Sequence, residues 1–333
     1  MTSRPPAVVA GWNGFIGHRL TADLTERGYD VARVGRTGPD GRWDDPDALT
    51  RLVDGAELIV NMAGKSVGCR YTDRNRDEIL RSRVETTRQL REAVARAYAP
   101  PPLWLNASTA TIYRDAMDRP QTESDGELAT GFSADVATSW ERELFAGDLP
   151  GTRRVALRMA IVLGGPASDQ LALAARLGLG GPQLDGWWPQ HRRYRGIGER
   201  PTGGPVPTQR TAGRQKFSWI HVDDVLRAVQ FLQEHPELEG PVNLSSPHPT
   251  DNRTLMAELR DLVGMPVGLP APRWMLEVGM WALRKESELL LKSRWVLPER
   301  LTDAGFEFAW PELRPALDDT VRRRGGRPVT VPV

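Results

Sequence analysis

The first half of the chain alternates short apolar runs with stretches whose apolar residues recur every three or four positions. The apolar run 8–10 is typical of a buried strand, and Ile16, Leu20 and Leu24 share one face of a helix predicted over 15–27. Further strands are predicted at 31–34, 56–62, 103–107, 154–163, 217–222 and 242–244, and helices at 46–53, 73–97, 132–145, 256–263 and 274–291. Strands that alternate with helices favour a parallel sheet covered by helices on both faces.

A glycine-rich turn separates the first predicted strand from the first helix. Three glycines follow the strand at the spacing G-x-x-G-x-x-G. Glycine lets backbone N–H groups approach a diphosphate closely, and a helix N-terminus adds partial positive charge at the same place. The turn therefore predicts a dinucleotide-binding site. Its candidate cofactor-binding residues are Gly11, Trp12, Asn13, Gly14, Phe15, Ile16 and Gly17.

The second half of the chain has a different composition and predicts a second structural unit. Residues 183–212 are rich in Gly, Pro, Arg and Trp and predict an insertion. We predict an α/β fold with a Rossmann-type doubly wound parallel sheet over 1–164, to which 214–245 returns. A smaller, mainly helical C-terminal substrate subdomain is predicted from 165–213 and 246–333.

Composition narrows the classes of function. A net charge of +1 argues against general binding to nucleic acid or to a membrane surface, and no apolar stretch reaches the roughly 18 residues of a membrane span. The single cysteine, Cys69, excludes an internal disulfide and a multi-cysteine metal site. We predict a cytoplasmic protein with a small-molecule substrate and no bound metal. Whether it forms a homodimer stays open.

The end of the second predicted strand bears on which dinucleotide is bound. An acidic residue there would accept hydrogen bonds from the adenosine ribose and select NAD. This chain has Gly35 at that position and Arg36 next. A guanidinium group forms charge-assisted hydrogen bonds with a 2′-phosphate. The sequence therefore predicts NADP(H).

Short motifs along the whole chain resemble a known superfamily. They include Asn61-Met62-Ala63-Gly64, the segment 82–88, Leu157-Arg158, the segment 218–224 and the segment 296–301. In this order they resemble the extended short-chain dehydrogenase/reductases, in particular an atypical epimerase-like branch with a C-terminal domain of unassigned function. The resemblance implies an NADP(H)-dependent oxidoreductase or epimerase-like enzyme. It also implies that Asn61, Ala63, Gly64, Lys65 and Arg158 lie along the cofactor.

Typical members of that superfamily use a serine or threonine, a tyrosine and a lysine for proton transfer. Ser108 and Thr109 match the serine/threonine segment and are expected to hydrogen-bond a substrate oxygen. The tyrosine and lysine positions are occupied by Ser133 and Ala137. The resemblance therefore leaves Tyr113, which follows Ser108 and Thr109 closely, as the provisional acid.

The missing tyrosine and lysine leave three functions open. The first is an oxidoreductase or epimerase-like enzyme that uses another acid on a small organic substrate, such as a specialised metabolite. The second is a non-redox enzyme (a cyclase, lyase or isomerase), whose cofactor shapes the pocket. The third is a non-catalytic sensor that binds NADPH.

Overall fold

The computed structural model describes residues 4–189, 196–202 and 210–324. The strands are β1 (Pro6–Ala10), β2 (Asp30–Gly35), β3 (Gly41–Arg42), β4 (Leu58–Asn61), β5 (Leu103–Thr109), β6 (Arg153–Met159), β7 (Ile161–Leu163), β8 (Lys216–Phe217), β9 (Trp219–His221), β10 (Gly240–Leu244) and β11 (Thr250–Asp251). The helices are α1 (Phe15–Glu26), α2 (Pro46–Val53), α3 (Asp73–Arg96), α4 (Phe132–Leu144), α5 (Pro166–Ala174), α6 (Val222–Glu234), α7 (Asn252–Leu262), α8 (Arg273–Ala282), α9 (Glu288–Leu291), α10 (Glu299–Asp303) and α11 (Leu313–Arg324).

Seven strands form one sheet in the order β10-β6-β5-β4-β1-β2-β3, and every neighbouring pair in it is parallel. The chain moves outward from β1 in both directions, so the strand order reverses between β1 and β4. Loops that leave the carboxyl ends of strands at such a reversal diverge and open a crevice. The fold therefore places a candidate binding site above β1 and β4.

The two faces of the sheet bury alternate residues of each central strand. In β1, Val9 packs in a cluster with Leu24 of α1 and residues of α6, and Val8 packs in another with Leu90 of α3 and residues of α2. Both faces of a parallel sheet are covered by helices, which is why the strands read as continuous apolar runs. The predicted doubly wound Rossmann-type fold is confirmed.

A third cluster lies beyond the main sheet. It joins Trp219 of β9 to Leu255 and Leu259 of α7 and to Leu317 of α11. The C-terminal region is mainly helical, as predicted, while the domain boundaries stay a prediction. Of the predicted insertion, 190–195 and 203–209 lie outside the described residues. In the described parts of the chain, no helix has the length and apolar character needed to cross a membrane.

The prediction of one continuous helix over 274–291 is wrong. Helix α8 ends at Ala282, and Arg284 adopts a positive φ of 54°. The N–H of Lys285 bonds back to the carbonyl of Met280 at 2.8 Å, which closes the helix end. The following residues run back toward the main sheet, and α9 begins only at Glu288. The end of α8 therefore brings α9 and the residues after it to the candidate site.

Candidate functional site

The glycine turn after β1 forms a cradle. Gly11 has φ +75°, and a Cβ there would lie 2.7 Å from the backbone nitrogen of Ala63. A Cβ at Gly17 would lie 2.2 Å from the carbonyl oxygen of Gly11. A Cβ at Gly14 would instead enter open space, with the Gly11 oxygen at 3.4 Å as its nearest contact. Gly11 and Gly17 thus allow backbone segments to meet, and Gly14 leaves room for a ligand.

Helix α1 begins at this cradle. Its N-cap is Gly14, and no side chain caps the helix. The first N–H groups of a helix have no acceptor within it, and they carry the positive end of the helix dipole. Phe15, Ile16 and Gly17, which form the first turn, line a cavity. This end of α1 is therefore suited to bind an anionic diphosphate.

Trp12, Asn13 and Arg36 lie at the outer side of the cradle. The Trp12 ring lies beside Gly35 and beneath the guanidinium of Arg33, 5.6 Å from the ring centroid. Asn13 is exposed. Arg36 follows β2 directly, is exposed, and forms no hydrogen bond or ion pair with another residue that the structure describes. Its guanidinium is thus available to a ligand, and its contact with a 2′-phosphate stays a prediction.

The loop after β4 forms the opposite wall. Ala63 and Gly64 line the cavity. Asn61 is fully buried beneath them, where its Oδ1 accepts the N–H of Ala63 at 3.0 Å and its Nδ2 donates to Oδ1 of Asn106 at 2.7 Å. Asn61 therefore shapes the wall from behind, and a direct contact with the cofactor stays a prediction.

Lys65 faces helix α3. Its Nζ donates to Oδ1 of Asn75 at 3.0 Å and also to the carboxylate of Glu78. Hydrogen bonds from Lys65 and Arg74 lower the pKa of Glu78 to about 2. Because these contacts hold the Lys65 ammonium, they do not support the predicted cofactor contact.

A group of buried polar side chains, which we call the closed cluster, lies behind the cavity. Arg158 donates from Nε and Nη2 to the two carboxylate oxygens of Glu141 at 2.9 and 2.7 Å. Ser108 donates to Oε1 of Glu141 at 2.6 Å. Arg158 also donates to the Tyr113 hydroxyl at 2.7 Å, and that hydroxyl donates to Oδ1 of Asn243 at 3.0 Å. Of these five residues, Ser108 alone lines the cavity.

The closed cluster bears on two predicted site residues. Tyr113 is 1% exposed, and burial raises the pKa of its hydroxyl. Burial alone would lower the pKa of Arg158, but the Glu141 carboxylate outweighs burial and raises it. The roles of Tyr113 as acid and of Arg158 as cofactor ligand stay predictions, and these contacts do not support them.

A second group, which we call the open cluster, faces the cavity and consists of Tyr71, Ser133, Glu288 and Arg294. Ser133 donates to Oε1 of Glu288 at 3.2 Å. Arg294 donates from Nε to Oγ1 of Thr111 at 3.2 Å. Burial, and then the Glu288 charge, raise the pKa of Tyr71 well above its usual value. The cavity volume is about 340 Å³, which is sufficient for a small molecule.

Three residues that line the cavity are not predicted by the sequence: Arg83, Glu288 and Arg294. Arg83 lines the cavity, and its guanidinium lies over the Trp140 ring, 5.1 Å from the centroid. Burial lowers the pKa of Arg83 to about 10. Arg83 belongs to the motif at 82–88, which could have drawn attention to it. Glu288 and Arg294 have no local motif, and no sequence signal marked them.

Comparison with known proteins places the chain in a family. Residues 7–134 match the NAD dependent epimerase/dehydratase family, and residues 271–320 match a domain of unknown function, DUF1731. The epimerase family protein SDR39U1 of Bos taurus is 31% identical over 324 residues, which cover 94% of this chain and 99% of the relative. An epimerase family protein of Mycobacterium bovis is 31% identical over 330 residues, which cover 95% and 98%. The chain belongs to the SDR39U1-type epimerase family.

Solved structures agree with this assignment. The crystal structure of human SDR39U1 with NADPH matches with a TM-score of 0.79 and 27% identity, over 95% of this chain and 99% of that one. MoeE5 in complex with UDP-glucose and NAD matches with a TM-score of 0.68 and 19% identity, over 96% and 99%, which shows the fold alone. The protein is thus an atypical extended short-chain dehydrogenase/reductase. The family supports a nicotinamide cofactor, and the open space at Gly14 fits its diphosphate.

Proposed function

We propose that this SDR39U1-type protein is an NADP(H)-dependent oxidoreductase or epimerase-like enzyme that acts on a small organic molecule. One observation carries the proposal. The glycine cradle, open at Gly14, belongs to the same cavity as the hydroxyl groups of Thr109 and Ser133. A dinucleotide held at the cradle would therefore share the cavity with its substrate.

The cradle and Arg36 account for cofactor binding in this proposal. The first turn of α1 would hold the diphosphate, and Arg36 would bind a 2′-phosphate. The relative whose structure contains NADPH supports this choice of cofactor. When bound, the nicotinamide exchanges a hydride with the substrate.

Thr109 is the better placed of the two predicted hydroxyl groups for binding a substrate oxygen. The Ser108 hydroxyl already donates its one hydrogen bond to Glu141. The Thr109 hydroxyl accepts the N–H of Thr111 at 3.1 Å and donates to no other residue that the structure describes. Its O–H can therefore donate to a substrate carbonyl, whereas the Ser108 oxygen can only accept.

Cofactor choice is tested by calorimetric titration with NADPH and NADH. Wild-type protein is expected to prefer NADPH, and Arg36→Ala is expected to weaken NADPH binding roughly tenfold while NADH binding changes little. Arg51→Ala, which removes an exposed arginine of α2, is the matched control. Equal losses for both nucleotides in Arg36→Ala would contradict the role of Arg36. No heat with either nucleotide would contradict the proposed function.

Chemistry is tested with a panel of small carbonyl compounds, by following the absorbance of NADPH. Thr109→Ala is expected to lower the rate roughly 10²-fold, and Thr302→Ala, on the exposed side of α10, is expected to match wild type. Conversion of a substrate without a change in absorbance would indicate a non-redox enzyme. A rise in melting temperature with NADPH but no turnover would indicate a sensor.

A further inference from the structure

The C-terminal segment that follows the break in helix α8 closes one side of the cavity. We call residues 286–294 the strap. It is tied to the nucleotide-binding half at several points: Oε1 of Glu286 accepts the N–H of Tyr71 at 2.7 Å, Nζ of Lys292 donates to the carbonyl of Thr111 at 2.9 Å, and the N–H of Ser293 donates to Asp115 at 2.7 Å. These bonds fix the strap against the loops that follow β4 and β5.

Glu288, on the strap, is the only carboxylate among the described residues that line the cavity. The bond from Ser133 orients its Oε1, and its Oε2 accepts no hydrogen bond from a described residue. The Tyr71 hydroxyl is protonated near neutral pH, as tyrosine ordinarily is, and burial raises its pKa further. Glu288 is therefore the cavity group best suited to accept a proton.

Arg294, also on the strap, brings positive charge to the same cavity. It is 8% exposed, and no carboxylate of the described residues lies within ion-pair distance of its guanidinium. Its Nε donates to Thr111 and its Nη1 to the carbonyl of Leu289 at 3.3 Å. Its Nη2 donates to no described residue, which leaves N–H groups for a ligand oxygen. The Glu288 and Asp115 carboxylates act on Arg294 only from beyond ion-pair distance. Its remaining N–H groups therefore favour a ligand oxygen that carries negative charge.

We propose that the strap completes the active site: Glu288 exchanges a proton with the substrate, and Arg294 binds the substrate oxygen. The inference rests on the proposed function. In the oxidising direction the Glu288 carboxylate takes the proton of a substrate hydroxyl, and the O–H electron pair forms the C=O π bond. The carbon loses its hydrogen as a hydride to NADP⁺, which is reduced while the alcohol is oxidised. In the reducing direction the Glu288 carboxyl returns the proton to the oxygen.

Binding of benzoate to NADPH-saturated protein tests the arrangement without turnover. Benzoate brings a carboxylate for Arg294 and a ring for the apolar lining of Ile79, Phe132 and Val136. Its uncharged analogue, benzamide, is the ligand control. Ligand-observed NMR would measure both affinities. Wild type is expected to prefer benzoate, since Arg294 offers a charge-assisted hydrogen bond.

Substitutions distinguish the contributions of Glu288 and Arg294 to benzoate binding. Glu288→Gln is expected to bind benzoate roughly tenfold more tightly than wild type, because it removes a negative charge that faces the ligand. Arg294→Met is expected to lose the preference for benzoate. Arg294→Lys keeps the positive charge without the planar fork of the guanidinium and is expected to retain part of that preference. Glu307→Gln makes the same change as Glu288→Gln at an exposed position and is expected to match wild type.

Unchanged benzoate affinity in Glu288→Gln would overturn the placement of its carboxylate beside the substrate. Failure of wild type to bind benzoate better than benzamide would overturn the role of Arg294. With any carbonyl substrate that is turned over, Glu288→Gln is expected to lower kcat at least 10²-fold and to remove one limb of the pH profile, with NADPH affinity unchanged. If wild-type protein does not bind NADPH at all, the result would instead count against the proposed function.

Discussion

The closed cluster and the open cluster share four residue types (Arg, Glu, Ser and Tyr), to which the closed cluster adds Asn243, and they differ in how the charges are paired. In the closed cluster, Glu141 and Arg158 form a two-pronged ion pair. In the open cluster, Glu288 and Arg294 both line the cavity and form no ion pair with each other, although the Glu288 charge still acts on Arg294. A buried pair is costly to break by removing one partner, and its groups are not available to a ligand, whereas charges that face a cavity without forming an ion pair can act on a ligand. The comparison assigns stability to the first cluster and chemistry to the second.

The largest expected effect comes from breaking the ion pair of the closed cluster. Arg158→Met leaves the Glu141 carboxylate buried without its partner, which is expected to lower the free energy of unfolding by about 3–5 kcal/mol. Arg294→Met removes a cation without such a partner and is expected to cost less. Urea denaturation of both variants measures the difference. Equal losses would contradict the distinction between the clusters.

The cradle offers the same contrast between a packed and an open position. Gly17→Ala forces a Cβ against the Gly11 carbonyl and is expected to lower stability by about 2–3 kcal/mol. Gly14→Ala is expected to fold with nearly wild-type stability and to weaken NADPH binding, because its methyl group enters the ligand space. Denaturation and nucleotide titration check both variants. A Gly14→Ala protein that binds NADPH normally would contradict the position of the diphosphate.

A smaller effect is expected from the tyrosines of the two clusters. Tyr113→Phe leaves Arg158 and Asn243 short of a buried partner and is expected to lower stability by about 1–2 kcal/mol. Tyr71→Phe is expected to change stability less and ligand affinity more. Thermal denaturation and benzoate binding separate these outcomes. Loss of turnover in Tyr113→Phe at unchanged stability would instead support Tyr113 as the acid.

The smallest effect concerns Glu123, whose Oε1 accepts the N–H of Asn243 beside the closed cluster. Burial raises the pKa of Glu123 above 4.5, partly offset by that hydrogen bond. A raised carboxyl pKa contributes stability at low pH, and this contribution is lost as pH rises through the folded-state value. Glu123→Gln is therefore expected to gain stability relative to wild type between pH 4 and pH 7. Urea denaturation at several pH values measures the trend, and a pH-independent difference would contradict it.

The nucleotide-binding half could be predicted from the sequence because its determinants are contiguous. Gly11, Gly14 and Gly17 lie within one strand-turn-helix unit, in which Gly11 and Gly17 allow close backbone contacts and Gly14 leaves room for a ligand. Helix α3 was predicted within one residue, since its apolar face and the prolines that follow it are local features.

The substrate half could not be predicted in the same way. Glu288 and Arg294 reach the cavity only because helix α8 ends before Arg284 and the following residues run back to the sheet. The apolar residues keep their helical spacing beyond the end of α8, and the sequence therefore predicts one helix over 274–291. Tyr113 is close to Ser108 in sequence, but its hydroxyl lies in the closed cluster, away from the cavity lining. Distance along the chain was a poor guide to which groups meet.

The strap concentrates the two charged groups of the open cluster in one short segment of the chain. Its nine residues carry both charged groups that we assign to the substrate, while the cradle that would hold the nucleotide is built entirely from the first seventy residues. Substitutions within this short segment are therefore expected to change how such an enzyme handles its substrate, while the part that recognises its coenzyme stays as it is.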